Sequence, residues 1–345
     1  MPPSSCPSPF RTVPAPERPS ISTYTRWRVI LSSPILGLHH VTATVNDAQA
    51  DLDFAAGIFG LRLVKKTVNF DNPFVYHFYY GDTSGTPGTI WTTFPYKGHG
   101  VRPGRIGAGQ VVATSFSVPP DSLSFWTERL AARSVSAETA PSRFGEAVLV
   151  LRDPSGLVME LVAGSRDART PWTGAGIDSA AAIQGIHSVT LASRAPASTI
   201  EFMTETLGFT VAGVDAGRTR LTVNGDRPGH TFDVMDAHGQ QPGVNGLGTV
   251  HHVAMAVTTS TEQLMMRERL VRAGVSVTTV QDRQYFESIY FREPGGVLFE
   301  IATSQPGFTL DESEELLGRL LKLPSWEEAN RPAIEVGLDV VKAPQ

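Results

Sequence analysis

Short runs in which apolar and polar residues alternate recur along most of the chain and predict β-strands. In residues 41–45, valine or alanine alternates with threonine, so one face of this strand is apolar and the other is polar. Amphipathic segments around residues 47–59 and 262–273 have the spacing of helices that cover such a strand. Further β-runs bounded by glycine and proline turns, at residues 74–80 and 89–94, complete a βαβββ unit.

The chain contains an internal repeat. Residues 37–42 match residues 185–190 at a shift of 148, and residues 153–160 match residues 293–300 at a shift of 140. The first half therefore duplicates the second, and each half divides again into two similar modules. Because self-similarity of this kind sets the architecture, we predict an α+β fold of four βαβββ modules.

These matches divide the chain into five segments. We expect two domains of two modules each, joined by a linker rich in glycine, alanine, serine and proline. A leader precedes the domains and a helical tail follows them. The predicted boundaries are 1–35 for the leader, 36–163 for the N-terminal domain, 164–183 for the linker, 184–304 for the C-terminal domain and 305–345 for the tail.

The two ends of the chain differ from the repeats. The leader is rich in proline and serine and holds four arginines but one acid, Glu17. This composition is typical of a disordered tail, or of a start codon assigned too far upstream. An organelle transit peptide is the other interpretation of such a segment. In the tail, Asp311 is positioned to cap a helix over residues 314–322, which Pro324 would end.

Bulk properties exclude several classes of protein. A hydrophobic share of 41% is ample for real cores, and a net charge of −5 gives no basic footprint for nucleic acid. The single cysteine, Cys6, allows no intrachain disulfide, so nothing requires an oxidising compartment and we expect a cytoplasmic protein. No apolar run reaches the length of a membrane span, so no membrane partner is expected. A homo-oligomer is compatible with these properties.

Two histidine pairs and one acid are the candidate chemistry. His39-His40 and His251-His252 each open a strand, and Glu300 lies inside an otherwise apolar strand. Strand alternation assigns the second histidine of each pair, together with Glu300, to the polar face of its strand. His40, His252 and Glu300 can therefore face one concavity, whereas the two members of a pair point apart and cannot both bind one ion.

This set of residue types suggests a metal. A buried carboxylate is costly unless something pairs with it, and two histidines with one carboxylate and open coordination positions are the ligands of non-haem Fe(II) oxygenases. The repeat supplies an internal control. Ser188 and Val112 (or Ala113, with one gap) stand where the histidines would be, while Glu160 matches Glu300. We therefore predict one metal per chain, with Glu160 unliganded.

The four modules resemble the vicinal oxygen chelate superfamily, which implies two incomplete β-barrels. The stretches at residues 37–42, 251–254 and 296–300 resemble the hydroquinone-type ring-cleaving dioxygenases, which open para-diol rings such as chloro- or methylhydroquinone. Residues 323–327 and 331–335 are similar to the closing segment of that family, so the resemblance covers about 37–340.

The resemblance implies an Fe(II)-dependent dioxygenase that acts on a small aromatic diol and O2, with His40, His252 and Glu300 as metal ligands. Mn(II) tolerates the same ligands. It also implies roles around the metal for five further side chains. A histidine can take the diol proton, an arginine can stabilise charge that develops on oxygen, and a tyrosine can donate to the substrate. These five residues are His39, Thr42, His251, Arg283 and Tyr290.

Other functions of the same fold stay open. A glyoxalase-like isomerase or lyase would need a fourth protein ligand, and Thr92 stands where that glutamate would be. A catechol-type enzyme would take its first histidine from the second half, where Ser188 stands instead. A non-catalytic drug-binding protein would not need three convergent ligands. Four aromatic residues are candidates for lining the pocket, although each fits the core as well: Phe78, Trp91, Phe286 and Phe291.

Overall fold

The computed structural model describes residues 33–164 and 167–344. The predictions for leader residues 1–32 and for linker residues 165–166 lie outside the described residues.

Each module has the predicted order of one strand, one helix and three strands. Module 1 comprises β1 (Gly37–Val45), α1 (Ala48–Leu52), β2 (Arg62–Asn69), β3 (Asn72–Gly81) and β4 (Ile90–Pro95). Module 2 comprises β5 (Gln110–Val118), α2 (Leu123–Ala132), β6 (Ala137–Arg143), β7 (Glu146–Arg152) and β8 (Val158–Ala163). Module 3 comprises β9 (Gly185–Ser193), α3 (Pro196–Phe202), β10 (Thr210–Asp215), β11 (Arg218–Thr222) and β12 (Thr231–Asp236). Module 4 comprises β13 (Thr249–Val257), α4 (Ser260–Arg272), β14 (Gln281–Asp282), β15 (Phe286–Arg292) and β16 (Leu298–Pro306).

Local sequence explains where the helices begin. Asp47 caps α1 by accepting a hydrogen bond from the backbone N–H of Ala50. Thr259 and Glu262 form a capping box at the start of α4, which satisfies two backbone donors that the helix leaves free. Two of the helices continue in π-helical turns, α1 into Asp53–Ile58 and α3 into Met203–Leu207.

The modules combine into two eight-stranded sheets, each curled into an incomplete barrel. The first sheet joins modules 4 and 1 in the order β14-β15-β16-β13-β1-β4-β3-β2, and the second joins modules 3 and 2 in the order β10-β11-β12-β9-β5-β8-β7-β6. This confirms the predicted fold class. Each sheet thus takes one module from each half of the sequence, while the domain boundaries 36–163 and 184–304 stay a prediction.

The largest of three hydrophobic clusters in the described residues lies between the sheets and the helices. Val41, Ala43 and Val45, the apolar set of β1, are fully buried in it. Phe116 of β5 packs edge-on against both Phe59 and Trp91 of module 1, so the core is continuous across modules. The opposite face of β1 is therefore left for a site. Among the described residues, no helix is long and apolar enough to cross a membrane.

The tail differs from its prediction. The helix expected over residues 314–322 is wrong, because only a 3₁₀ turn, Glu314–Leu316, forms there. Leu317, whose ψ of 132° is extended, ends the turn. Gly318 follows with φ +75°, and the backbone N–H of Lys322 then donates to the carbonyl oxygen of Lys66 on β2. Asp311 caps no helix because its carboxylate binds Lys65 Nζ at 2.6 Å. The other tail elements are the 3₁₀ turns Phe308–Leu310 and Glu328–Asn330 and the helix α5 (Arg331–Gly337).

Candidate metal centre

The polar face of β1 lines the concave side of the first sheet. Thr42 lies opposite His252 in the ladder between β1 and β13, and His40 lies opposite Ala254. In the next ladder, Ala254 lies opposite Glu300 of β16. Residues directly opposite one another share a face of the sheet, so His40, His252 and Glu300 point to the same side.

The three side chains converge. His40 Nε2 lies 3.2 Å from His252 Nε2 and 3.2 Å from Glu300 Oε2, and His252 Nε2 lies 2.8 Å from Glu300 Oε2. All three residues are buried. Within residues 33–164 and 167–344, they form the group of His, Cys, Asp or Glu side chains whose donor atoms are close enough to share a metal ion.

The spacing and chemistry of this group fit a divalent cation. Three donor atoms that bind a metal at right angles to one another, with metal–donor bonds of about 2.1 Å, would lie about 3.0 Å apart. This value matches the observed spacing of the Nε2 and Oε2 atoms. Glu300 Oε2 is buried and receives no hydrogen bond from the described part of the chain, although both imidazoles are near it. Burial raises the pKa of Glu300, but attraction to His40 and His252 in their protonated forms outweighs burial and, without a metal ion, holds this pKa well below its usual value. The carboxylate is thus charged, and a shared cation would balance it.

His39 sets the tautomer of His40. The Nε2 atom of His39 lies 3.2 Å from the carbonyl oxygen of Thr303, which can only accept, so Nε2 carries the proton. Burial and the neighbouring His40 lower the pKa of His39 to about 3, so its ring is neutral and its Nδ1 is an acceptor. His40 Nδ1 lies 2.8 Å away and must donate to it. When His40 binds a metal ion, its lone pair therefore lies on Nε2, the atom that faces Glu300.

Similar partners hold the other two side chains. His251 Nδ1 lies 2.8 Å from His252 Nδ1, and Ser288 donates a hydrogen bond to Glu300 Oε1. These contacts orient each candidate ligand from outside, as is usual around protein-bound metals.

A cavity of about 440 Å³ opens in front of this group. Arg283 and Tyr290 stand at one side of the cavity, where Arg283 Nε donates to the Tyr290 hydroxyl at 3.2 Å. Tyr290 also packs edge-on against the ring of His252, at 5.6 Å between centroids. Arg283 Nη1 lies 3.7 Å from the exposed Asp71 carboxylate. Thr42, His40, His251 and His252 line the same cavity, and His39 and Glu300 lie beside the two candidate histidine ligands.

Several lining residues were missed by sequence reasoning. Strand β3 presents His77 and Tyr79 to the cavity, and β4 presents Phe94. Strand alternation was the signal that could have identified the residues on β3, because Phe78 and Tyr80 fall on the opposite, core face of that strand. Of the four aromatic candidates, Phe286 lines the cavity, whereas the other three belong to the core: Phe78, Trp91 and Phe291.

The second sheet has a different centre at the matching place. Glu160 is opposite Ser115, as Glu300 is opposite Ala254 in the first sheet. Arg143 donates to both oxygens of Glu160, at 3.0 and 2.6 Å, and Ser115 donates at 2.7 Å. An internal cation thus pairs with this acid.

Comparisons with known proteins agree with this geometry. Residues 37–161 and 185–301 match the Glyoxalase/Bleomycin resistance protein/Dioxygenase superfamily. A Bacillus subtilis (strain 168) protein with the provisional name ring-cleaving dioxygenase MhqE is 44% identical over 86% of this chain and 96% of its own length. The chlorohydroquinone/hydroquinone 1,2-dioxygenase of Sphingobium indicum is 36% identical over 85% of this chain and 92% of its own.

Solved structures give the same result. The crystal structure of a Bacillus subtilis protein provisionally described as a dioxygenase superposes with a TM-score of 0.87 at 40% identity, and covers 91% of this chain and all of that one. Glyoxalase I from Zea mays, at 14% identity and a TM-score of 0.59, covers 82% of this chain and 97% of its own and shares the fold. The chain therefore belongs to the glyoxalase/bleomycin resistance protein/dioxygenase superfamily, within its family of ring-cleaving dioxygenases.

Proposed function

We propose that this protein is an Fe(II)-dependent dioxygenase that opens the ring of hydroquinone-like diols, including chloro- or methyl-substituted ones. The observation that carries the proposal is the convergence of His40, His252 and Glu300, with no fourth protein ligand among the residues that the structure describes. Thr92, at the place of a fourth ligand, instead donates to Thr42 at 3.2 Å. Three ligands with open positions suit the binding of a diol and O2, whereas a closed set would not.

The choice of substrate rests on the relatives. The Sphingobium indicum protein is named for hydroquinone and chlorohydroquinone, and the chain matches nearly all of it. The cavity of about 440 Å³ is large enough for one substituted ring, and aromatic side chains line it. A bound iron would bring diol and O2 together and pass electron density between them. Mn(II) fits the same nitrogen and oxygen donors.

The residues around the ligands have separate tasks in this proposal. His39 and His251 hold His40 and His252 in the tautomer that leaves Nε2 free. A neutral His251 whose Nδ1 accepts from His252 carries its proton on Nε2. We therefore assign His251 the role of positioning His252 rather than that of accepting a proton. Removal of the diol proton by His251, as the resemblance implies, would require this hydrogen bond to break.

Arg283 and Tyr290 act on the ring oxygens. Burial and the nearby Glu300 raise the pKa of Tyr290, so its hydroxyl stays protonated and can donate. Arg283 brings a positive charge to the same wall and stabilises negative charge on the ring oxygens. Thr42 lies on the other side of His252, which it opposes in the ladder between β1 and β13. Together these side chains bind an ionised diol in one orientation.

Oxygen uptake tests the proposal. The protein is loaded with Fe(II) without oxygen and then given air with hydroquinone, catechol or the glutathione hemithioacetal of methylglyoxal. We expect O2 consumption and a ring-opened product with hydroquinone, and loss of both in Glu300→Gln. Uptake with none of the substrates despite bound iron would remove the dioxygenase proposal, and turnover of the hemithioacetal would favour an isomerase.

The compartment and assembly are also part of the proposal. We propose the cytoplasm, because a chain with one cysteine gains no intrachain disulfide from an oxidising compartment. A homo-oligomer is proposed as well, and light scattering of the purified protein tests it.

A further inference from the structure

His77 is the cavity residue whose chemistry the proposed function leaves unused. It lies on β3, and its ring packs between Tyr79 and Phe94, with centroid distances of 4.0 and 4.1 Å. Strand β4 lies between β3 and β1, and the register places His77 level with Phe94 of β4 and Thr44 of β1. The backbone of His77 is therefore about 10 Å from that of Thr44, two strand spacings away, and His40 lies four residues, or about 13 Å, further along β1. His77 and the two candidate histidine ligands, His40 and His252, therefore line one cavity, with His77 further along the strands.

Its hydrogen bond fixes the tautomer. His77 Nε2 lies 2.7 Å from Thr92 Oγ1, and the Thr92 hydroxyl donates to Thr42. Since a hydroxyl has a single proton, Thr92 must accept from His77, and Nε2 carries the hydrogen. Burial, followed by repulsion from the imidazoles of His40 and His252, holds the pKa of His77 well below its usual value. The ring is thus neutral, and its Nδ1 has a lone pair.

That lone pair is free, in contrast to those of the other histidines at the cavity. His39 accepts from His40, and His251 pairs with His252. The lone pairs on His40 and His252 face Glu300. His77 Nδ1 makes no hydrogen bond to any other part of the described chain. A fixed ring with an uncommitted acceptor, at the wall of a cavity, is suited to a ligand hydroxyl.

We infer that His77 Nδ1 accepts a hydrogen bond from the ring hydroxyl that does not bind the metal, and that this contact selects para-diols. The inference rests on the proposed function. In a para-diol the two hydroxyls lie at opposite ends of the ring, so one reaches the metal while the other reaches His77. In an ortho-diol both hydroxyls lie at the same end, and none is left for this contact.

Anaerobic binding separates this contact from catalysis. The iron-loaded protein is titrated in a calorimeter with hydroquinone and with phenol, which lacks the second hydroxyl. We expect the wild type to bind hydroquinone more tightly than phenol. His77→Phe keeps an aromatic ring but removes the acceptor. The affinity for hydroquinone should therefore fall by about threefold to tenfold, while the affinity for phenol should change by less than about twofold.

Two further variants keep the test decisive. Thr92→Val leaves His77 in place but frees its tautomer, so it should lower the preference for hydroquinone in the same direction and to a smaller extent. If His77→Phe does not fold, as judged by iron content and melting temperature, Thr92→Val still tests the contact. Tyr96→Phe removes another hydroxyl at the cavity. If this variant lost the preference for hydroquinone over phenol while His77→Phe kept it, the inference would be overturned.

The outcomes distinguish the two proposals. Equal weakening of hydroquinone and phenol in His77→Phe would reduce His77 to a packing residue and overturn the inference, while ring cleavage by the wild type would still stand. A wild type that neither binds nor cleaves hydroquinone would remove both.

Discussion

Arg143 and Glu160 form a two-bond ion pair in the second sheet, at the place where Glu300 meets two histidines in the first. Both acids are buried and charged, and each needs a cation. The repeat has met the same electrostatic need in two ways, with a guanidinium in one cleft and a candidate metal group in the other. We therefore assign a structural role to the second cleft and propose that the chemistry belongs to the first.

Glu160→Gln tests this division. The substitution leaves Arg143 buried without its charged partner, so the free energy of unfolding should fall by about 3 kcal/mol, as measured by urea denaturation. Iron content and the rate of hydroquinone cleavage per folded molecule should stay at the wild-type level. A drop in iron content would show that Glu160 takes part in metal binding after all.

His39→Phe tests the support of the metal ligands from outside. Without the acceptor on His39, the His40 ring loses its fixed tautomer, so the affinity for Fe(II) should fall by about tenfold to a hundredfold. Competition with a chelator measures this affinity. The matched control is His187→Phe in module 3, where His187 bonds Ser188 and Glu146 instead. An equal loss of iron affinity in both variants would contradict the assigned role.

Strand alternation predicted much of the site. It assigned His40, His252 and Glu300 to the polar faces of their strands from the period of two alone, and the structure brings these side chains together. It could not establish that modules 1 and 4 share a sheet, because a strand pairing between distant segments leaves no local mark. The same period could have assigned His77 to the face opposite the core, but no prediction was made for it, because a histidine among aromatic residues carries no sign of the cavity that it faces.

The tail shows the limit of local signals. The sequence before residue 322 has a plausible cap and apolar spacing, yet tertiary contacts decide the backbone. Lys65, which is fully buried, takes Asp311 and Glu312 as partners and so removes the cap. Pairing of Leu321 with Lys66 then extends the chain along β2. Neither partner of the tail is near it in sequence.

Lys65→Met tests how the tail is fastened. The variant leaves two acids without their cation, so the free energy of unfolding should fall by about 3–5 kcal/mol. Limited proteolysis should cut first near residue 311, since the tail loses its anchor. The matched control is Lys66→Met. The side chain of Lys66 is half-buried and points to the other face of β2, so this substitution should lower the stability less. Equal protection of the tail in both variants would contradict this anchor.

Asp51 should make stability depend on pH. Its carboxylate is buried and accepts from Tyr80 at 2.8 Å and Thr93 at 2.6 Å, and burial raises its pKa from 3.8 to about 7. The folded protein therefore keeps this proton up to about pH 7, whereas the unfolded chain releases it near pH 4. Stability linked to Asp51 falls as the pH rises between these values.

Asp51→Asn removes that dependence, because an amide oxygen still accepts from both hydroxyls without carrying a charge. Relative to the wild type, the variant should be more stable at pH 8, by up to about 4 kcal/mol, and should lose this advantage near pH 4. Urea denaturation at several pH values measures the difference. Asp153, whose burial raises its pKa to about 6, contributes in the same direction and remains in the variant. A constant difference at all pH values would contradict the role of Asp51.

Metal stoichiometry tests the central claim most directly, namely that His40, His252 and Glu300 hold one ion. Elemental analysis of iron-reconstituted protein should give one iron per chain for the wild type and for Glu160→Gln. It should give almost none for His40→Ala, His252→Ala and Glu300→Gln, provided that each variant retains the wild-type circular dichroism. About two irons per chain in the wild type, or full iron in folded Glu300→Gln, would contradict the claim.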